Sequence, residues 1–210
     1  MNLPGTNPTG TELPVQTPAL DLGAPAAEVA RLVAGVRDAQ LGQPTPCGFP
    51  VETLLNHLLG LCVAFTDAAA KVVGPTTMTP PDAAATSLPQ RWRDALPECL
   101  TALAQAWRRP EAWTGTSHAG GIEMPGEVMG VVANDELVLH GWDLARSTGQ
   151  DFTVAPANLA AAWQLVSETP DDPAARAGLF GPVVLVDPDA PLLDRLLGGA
   201  GRDPRWSPPA

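Results

Sequence analysis

Positive charge is scarce in this chain. Lysine and arginine together number 12 against 23 aspartates and glutamates, a formal net charge of −11 at pH 7. Binding to nucleic acid or to anionic lipid needs clustered cations that displace counterions, so both partners are excluded as an expectation. No apolar run approaches the roughly 18 residues of a membrane span. The opening stretch "MNLPGTNPTGTELPVQTPAL" has neither a cationic start nor an apolar centre, so no signal peptide is expected there. Only three cysteines occur, Cys47, Cys62 and Cys99, without CxxC spacing. An odd, unspaced set suits reduced thiols in a cytoplasm better than a disulfide frame. Strand patterns are nearly absent as well, and no internal repeat is visible.

Apolar residues make up 45% of the 210, enough for one substantial core. Residues 1–20, rich in Pro, Thr and Gly, read as a flexible arm. Helical periodicity then marks 25–41, 51–73, 88–107 and 126–148. Pro97 is expected to kink or split the third of these. A further helix covers about 155–168, an extended piece is expected at "PVVLVD", and a helical turn or two at "PLLDRLLGG". Residues 108–125 read as one long loop. The expected fold is all-α, an antiparallel four-helix bundle over 21–177, with the tail 178–210 packed on it as a short cap.

The segment "NDELVLHGWDLARSTGQ" poses the chemical question. Glu136 and His140 are four apart, one helical turn from each other on one face, and Asp143 follows three later. Their neighbours are apolar, so the carboxylates need partners, protons or a metal. His57 lies in an equally apolar helix, "TLLNHLLGL". If the two helices are neighbours, His57, Glu136 and His140 form a two-imidazole, one-carboxylate set suited to zinc or a related divalent ion, with positions left open for a reactant. The plain alternative leaves His57 packed in the core and Glu136 bonded to Arg146 or a loop amide. That only three histidines exist and two fall inside apolar helices favours the metal. Asp143 is a candidate to orient a ligating imidazole, or to pair with Arg146. His118, on the long loop, is a candidate proton shuttle at the mouth of the bundle. Cys47 is assigned a structural role, because two helix turns or more separate it from His57.

The blocks "PTPCGFPVETLLNHLLG", "EMPGEVMGVVANDELVLHGWDLARSTGQ" and "FGPVVLVDPDAPLLDRLLGGAGRDPRW" occur in this order. Together they resemble actinobacterial metal-binding proteins of the DinB-like superfamily, in the branch related to mycothiol-dependent maleylpyruvate isomerase. The resemblance implies an up-down-down-up bundle and a divalent metal, usually zinc, on His57, Glu136 and His140. It also implies a low-molecular-weight thiol such as mycothiol as co-substrate. The isomerase is expected to carry an additional C-terminal domain where this chain has a short tail, so its substrate is not carried over. The expected function is a metal-dependent thiol S-transferase or isomerase acting on a small electrophilic metabolite. Two further readings stay open: a thiol-independent Lewis-acid enzyme of natural-product biosynthesis, and a non-catalytic small-molecule binder. Dimers are common in the superfamily, which leaves a homodimer open.

Overall fold

In the computed structural model, which describes residues 20–79 and 87–209, four helices build the core. The expected arm at 1–20 lies almost wholly outside the described residues. Helix α1 spans Gly23–Ala34, α2 Val51–Ala69, α3 Pro75–Met78, α4 Trp92–Ala106, α5 Gly126–Thr148, α6 Pro156–Glu168, α7 Pro173–Arg176 and α8 Leu192–Gly199. Short 3-10 turns occupy Asp38–Gln40 and Pro110–Trp113.

Around the bundle the order is α1, α4, α2, α5, each touching the next and α5 closing on α1. Side-chain bonds give the directions. Arg93 at the start of α4 donates to Val36 O just past α1, so these two run oppositely. Trp107 at the end of α4 donates to Phe65 O near the end of α2, so those run together. Gln150 just past α5 donates to Leu32 O near the end of α1, so α5 rises with α1. The topology is up-down-down-up, as expected.

Burial explains the elements. On α2, Val51, Leu54, Leu55, Leu58, Leu61, Cys62 and Phe65 face inward at helical spacing. Helix α4 runs through Pro97 as one element, so of the expected kink or split the split does not occur. A mid-helix proline costs about 3 kcal/mol. Trp92, Leu96, Leu100 and Leu103 on the same stripe are buried, each worth about 1.5–3 kcal/mol, and together they outweigh it. Helix α1 stops earlier than expected, at Ala34, because side chains from elsewhere take carbonyls at its end: Gln150 bonds Leu32 O, and Arg93 bonds Val36 O.

Helix α5 is buried on two sides. Met129, Ala133, Leu137 and Leu144 enter the bundle core, whereas Val138, Leu139 and Trp142 enter a second core with Ala162, Val166 and Leu196 from α6 and α8. An apolar surface nearly all round is what such a position requires. Residues 182–187, where an extended piece is expected, form no strand; Val184 N–H bonds Gly198 O.

The long loop is partly a β-hairpin. Strands β1 (Thr116–Ala119) and β2 (Ile122–Pro125) pair antiparallel around Gly120 and Gly121, whose φ values of 60° and 79° suit a mirror-image hairpin turn. Among the described residues, no helix is long and apolar enough to cross a membrane.

Candidate metal centre

Because α2 and α5 are antiparallel neighbours, the first turns of α2 meet the last turns of α5. His57 comes from α2; Glu136 and His140 come from α5. One donor atom from each lies within 4.8 Å of the others. The two imidazole rings stand 5.0 Å apart and nearly perpendicular, at 87°. Glu136 Oε2 is 3.1 Å from His140 Nε2. Donors bound about 2.0–2.2 Å from a shared ion would sit roughly 3.3–3.6 Å apart, a closure that side-chain torsions supply. His57 Nδ1 is buried with no hydrogen-bond partner, a cost that coordination through that atom would remove. The residues fit a divalent cation.

The electrostatics are uneven across the set. Burial, assisted by the charge of His140, pushes the His57 pKa down to about 4, with Glu136 opposing. His57 is therefore neutral at physiological pH and its lone pair is free. Burial would also depress His140, but bonds to Asp143, Cys47 and Glu136 raise it well above the usual imidazole range. Burial pushes the Glu136 carboxyl up, yet the His140 contact prevails and holds it below its ordinary value. Asp135 has no such neighbour bond; burial first, then the Glu136 charge, lift its carboxyl well above the usual range.

Asp143 is fully buried and orients the centre. It accepts from His140 Nδ1 at 3.0 Å, which turns Nε2 toward Glu136 and the cavity. The expected alternative partner, Arg146, instead donates to Trp206 O. Asp143 is matched by Arg202, whose Nη2 lies 3.2 Å away and whose Nη1 bonds Ala200 O. Burial works against ionisation of Asp143, but Arg202 and His140 hold its carboxyl below the ordinary value. Arg202 reaches this position because the tail passes close to residues 178–181. Gly201 adopts φ 83°, and a Cβ there would come within 2.7 Å of Gly181 backbone.

A cavity of about 430 Å³ opens over His57, Glu136 and His140. Phe49, Leu139, Leu179 and Phe180 form apolar wall; Asp135 and Arg202 add polar wall. Cys47 also lines it, although its distance from His57 along the chain was the ground for assigning it a structural role. Distance along the chain misled there: Ser147 donates to Pro44 O, so the loop before α2 folds back onto α5. A donor atom each from Cys47, His140 and Asp143 forms a second close group, within 4.8 Å.

His118 does not reach the cavity, contrary to expectation. It sits on β1 and pairs with Glu123 across the hairpin at 3.0 Å. The adjacent Ser117 donates to Ala68 O, eleven residues along α2 from His57, or about 16 Å of helix. The hairpin thus belongs to the opposite end of the bundle. Asp135 and Arg202 were not anticipated. Asp135 carried a signal, a third acid beside Glu136 in an apolar helix; Arg202 carried none.

Comparison with known proteins places this geometry. The family profile of the mycothiol maleylpyruvate isomerase N-terminal domain matches residues 22–145, which include His57, Glu136, His140 and Asp143. Two proteins of Mycobacterium tuberculosis, uncharacterized protein Rv0738 of strain H37Rv and uncharacterized protein MT0763 of strain CDC 1551, are each 32% identical over 150 residues. The match covers 65% of this chain and 72% of theirs. The crystal structure of the mycothiol-dependent maleylpyruvate isomerase superimposes with a TM-score of 0.60 at 20% identity, over 86% of this chain and 87% of that one. A histidine-to-alanine mutant of that enzyme gives 0.53 at 18% identity, over 73% and 75%. With the profile spanning more than half of its length, the chain belongs to the mycothiol maleylpyruvate isomerase N-terminal domain family, within the DinB-like fold.

Proposed function

We propose that this protein is a metal-dependent enzyme of the thiol S-transferase or isomerase kind, acting with a low-molecular-weight thiol such as mycothiol on a small electrophilic metabolite. The carrying observation is the convergence of His57, Glu136 and His140 beneath an open cavity of about 430 Å³. The mycothiol dependence named for the superimposed isomerase supports the choice of thiol. A divalent cation on these three residues, zinc by preference, would supply a Lewis acid that favours the thiolate of an incoming thiol.

The chain's own residues supply the rest. Neutral His57 offers a lone pair without first losing a proton. Asp143 holds the His140 ring so that Nε2 faces the cavity, and Arg202 keeps Asp143 ionised for that task. Phe49, Leu139 and Phe180 exclude water from an electrophile bound beside them. Asp135 lies at the cavity wall with its carboxyl shifted upward by burial and by the Glu136 charge, a placement from which its protonated form would donate a hydrogen bond to a substrate oxygen.

The test is a titration of cobalt-substituted protein with mycothiol, followed by turnover on a panel of activated alkenes and alkyl halides. The reading expects the cobalt absorption to change as thiol binds, and turnover to need thiol. Unchanged absorption together with no thiol consumption would contradict it. Turnover without thiol would instead identify the Lewis-acid enzyme, and stoichiometric capture without turnover the binding protein.

A further inference from the structure

Cys47 sits in the turn that leads into α2, and hydrogen bonds fix its place. Thr45 N–H and Thr45 Oγ1 both donate to Phe49 O, at 3.0 and 2.7 Å. The one hydroxyl proton of Thr45 is thereby committed, so the Cys47 thiol is the donor in its 3.1 Å contact with Thr45 Oγ1. Gly48, at φ 89°, completes the turn. The partly exposed Cys47 lines the cavity over His57, Glu136 and His140, and its sulfur lies within 4.8 Å of a His140 ring nitrogen and an Asp143 carboxylate oxygen. Neither Cys62, which is fully buried, nor Cys99 lines that cavity.

A separate observation marks the cavity as a place for a polar ligand. Asp135 lines the same wall, is only 4% exposed, and leaves Oδ1 without a hydrogen-bond partner. A buried acceptor in that condition is unfavourable until a bound molecule supplies the missing partner. The volume, about 430 Å³, falls in the range of roughly 300–1,000 Å³ usual for small-molecule sites.

We propose that Cys47 is a thiolation site: a low-molecular-weight disulfide binds in the cavity and exchanges with the Cys47 thiol, leaving a mixed disulfide that occupies the site. The step regulates the centre already described, and it rests on the reading that a low-molecular-weight thiol enters there. The Cys47 sulfur bonds one sulfur of the disulfide RSSR; the S–S bond of RSSR breaks, and RS⁻ leaves and takes up the proton that Cys47 gives up. Cys47 is oxidised to the mixed disulfide, and half of RSSR is reduced to RSH. Reduced RSH reverses the step by bonding the R sulfur of the adduct, which returns RSSR and the Cys47 thiol. While the adduct stands, its R group fills the space over His57, Glu136 and His140, so the site closes when the thiol pool is oxidised and reopens when it is reduced.

The experiment treats the full chain with mycothiol disulfide at neutral pH, quenches with acid, and maps the adducts by non-reducing mass spectrometry. Cleavage after Glu52 and Glu98 puts the three cysteines on separate peptides. The expected adduct is on Cys47, is released by dithiothreitol, and forms at a rate that levels off as the disulfide is raised, because binding precedes exchange. S-methyl mycothiol, a thioether that cannot exchange, should slow labelling of Cys47 and leave that of Cys99 unchanged. Cys47→Ser keeps an oxygen to bond Thr45 and should lose the cavity adduct while Cys99 reacts as before. No adduct on Cys47, or one whose rate rises in strict proportion to the disulfide and ignores S-methyl mycothiol, would overturn the proposal. The thiol reading of the metal centre fails separately, when the cobalt absorption of untreated protein ignores mycothiol; the adduct map decides the role of Cys47 in either case.

Discussion

The two ends of the bundle handle buried polarity in opposite ways. At the hairpin end, Lys71 donates to Ala112 O and Ser117 Oγ, Trp107 Nε1 to Phe65 O, and Trp113 Nε1 to Trp107 O. At the other end His57 Nδ1, Asp135 Oδ1, Asp143 Oδ1 and Arg202 Nε are buried without partners. Among the described residues only Arg195 Nε shares that condition elsewhere. An unsatisfied buried polar atom costs about 1–3 kcal/mol. Concentrating four of them around one cavity is sensible if a ligand answers part of that cost. One end of the molecule is built for stability, the other for occupancy.

The contrast breaks most visibly at Trp107. Replacing this fully buried side chain by alanine should cost about 3–5 kcal/mol in urea unfolding, while the folded fraction still binds metal normally. Loss of metal from folded Trp107→Ala would show that the ends are not separable. Asp143→Asn should weaken metal affinity about 10–100-fold, because the amide no longer fixes the His140 ring as the carboxylate does. Competition with a chromophoric chelator measures this, and unchanged affinity would remove Asp143 from the account.

Proton release is a subtler probe. Burial lowers His140, but its bonds to Asp143, Cys47 and Glu136 raise it above the usual imidazole range, whereas burial pushes His57 down to about 4. Proton release on metal uptake should therefore come from His140 rather than from His57. Calorimetry in buffers of different ionisation enthalpy counts it. The folded pKa of His57 lies below its unfolded value, so the stability tied to its neutral form is present above pH 6.5 and lost as pH falls toward about 4. In metal-free protein, His57→Ala should flatten the stability slope across that window; an unchanged slope would contradict the assigned burial. The smallest effect belongs to His118→Ala, expected to stay within about 0.5 kcal/mol in stability and to leave metal binding untouched.

Much of this was legible in the sequence where neighbours along a helix decide the outcome. The 3.6-residue pattern places α2, α5 and α6 to within a few residues, and the i, i+4 spacing puts Glu136 and His140 together. The hairpin was missed although Gly120–Gly121 between two short runs is a turn signal, since strands of four residues have too little alternation to register. Arg202 was invisible for another reason. Its partner Asp143 lies 59 residues away, and only the return of the tail past Gly181 unites them. Cys47 failed in the same way, judged by chain distance when a folded loop carried it to His140. Periodicity reports what shares a face; it is silent on what loops bring back.

Metal content of the purified protein, compared with that of His57→Ala, tests the central claim most directly. The account predicts about one divalent ion per chain in the wild type. The variant should have almost none, with its helical circular dichroism retained. A folded His57→Ala protein that keeps full stoichiometry, or a wild type that binds no zinc, cobalt, nickel or manganese, would contradict it.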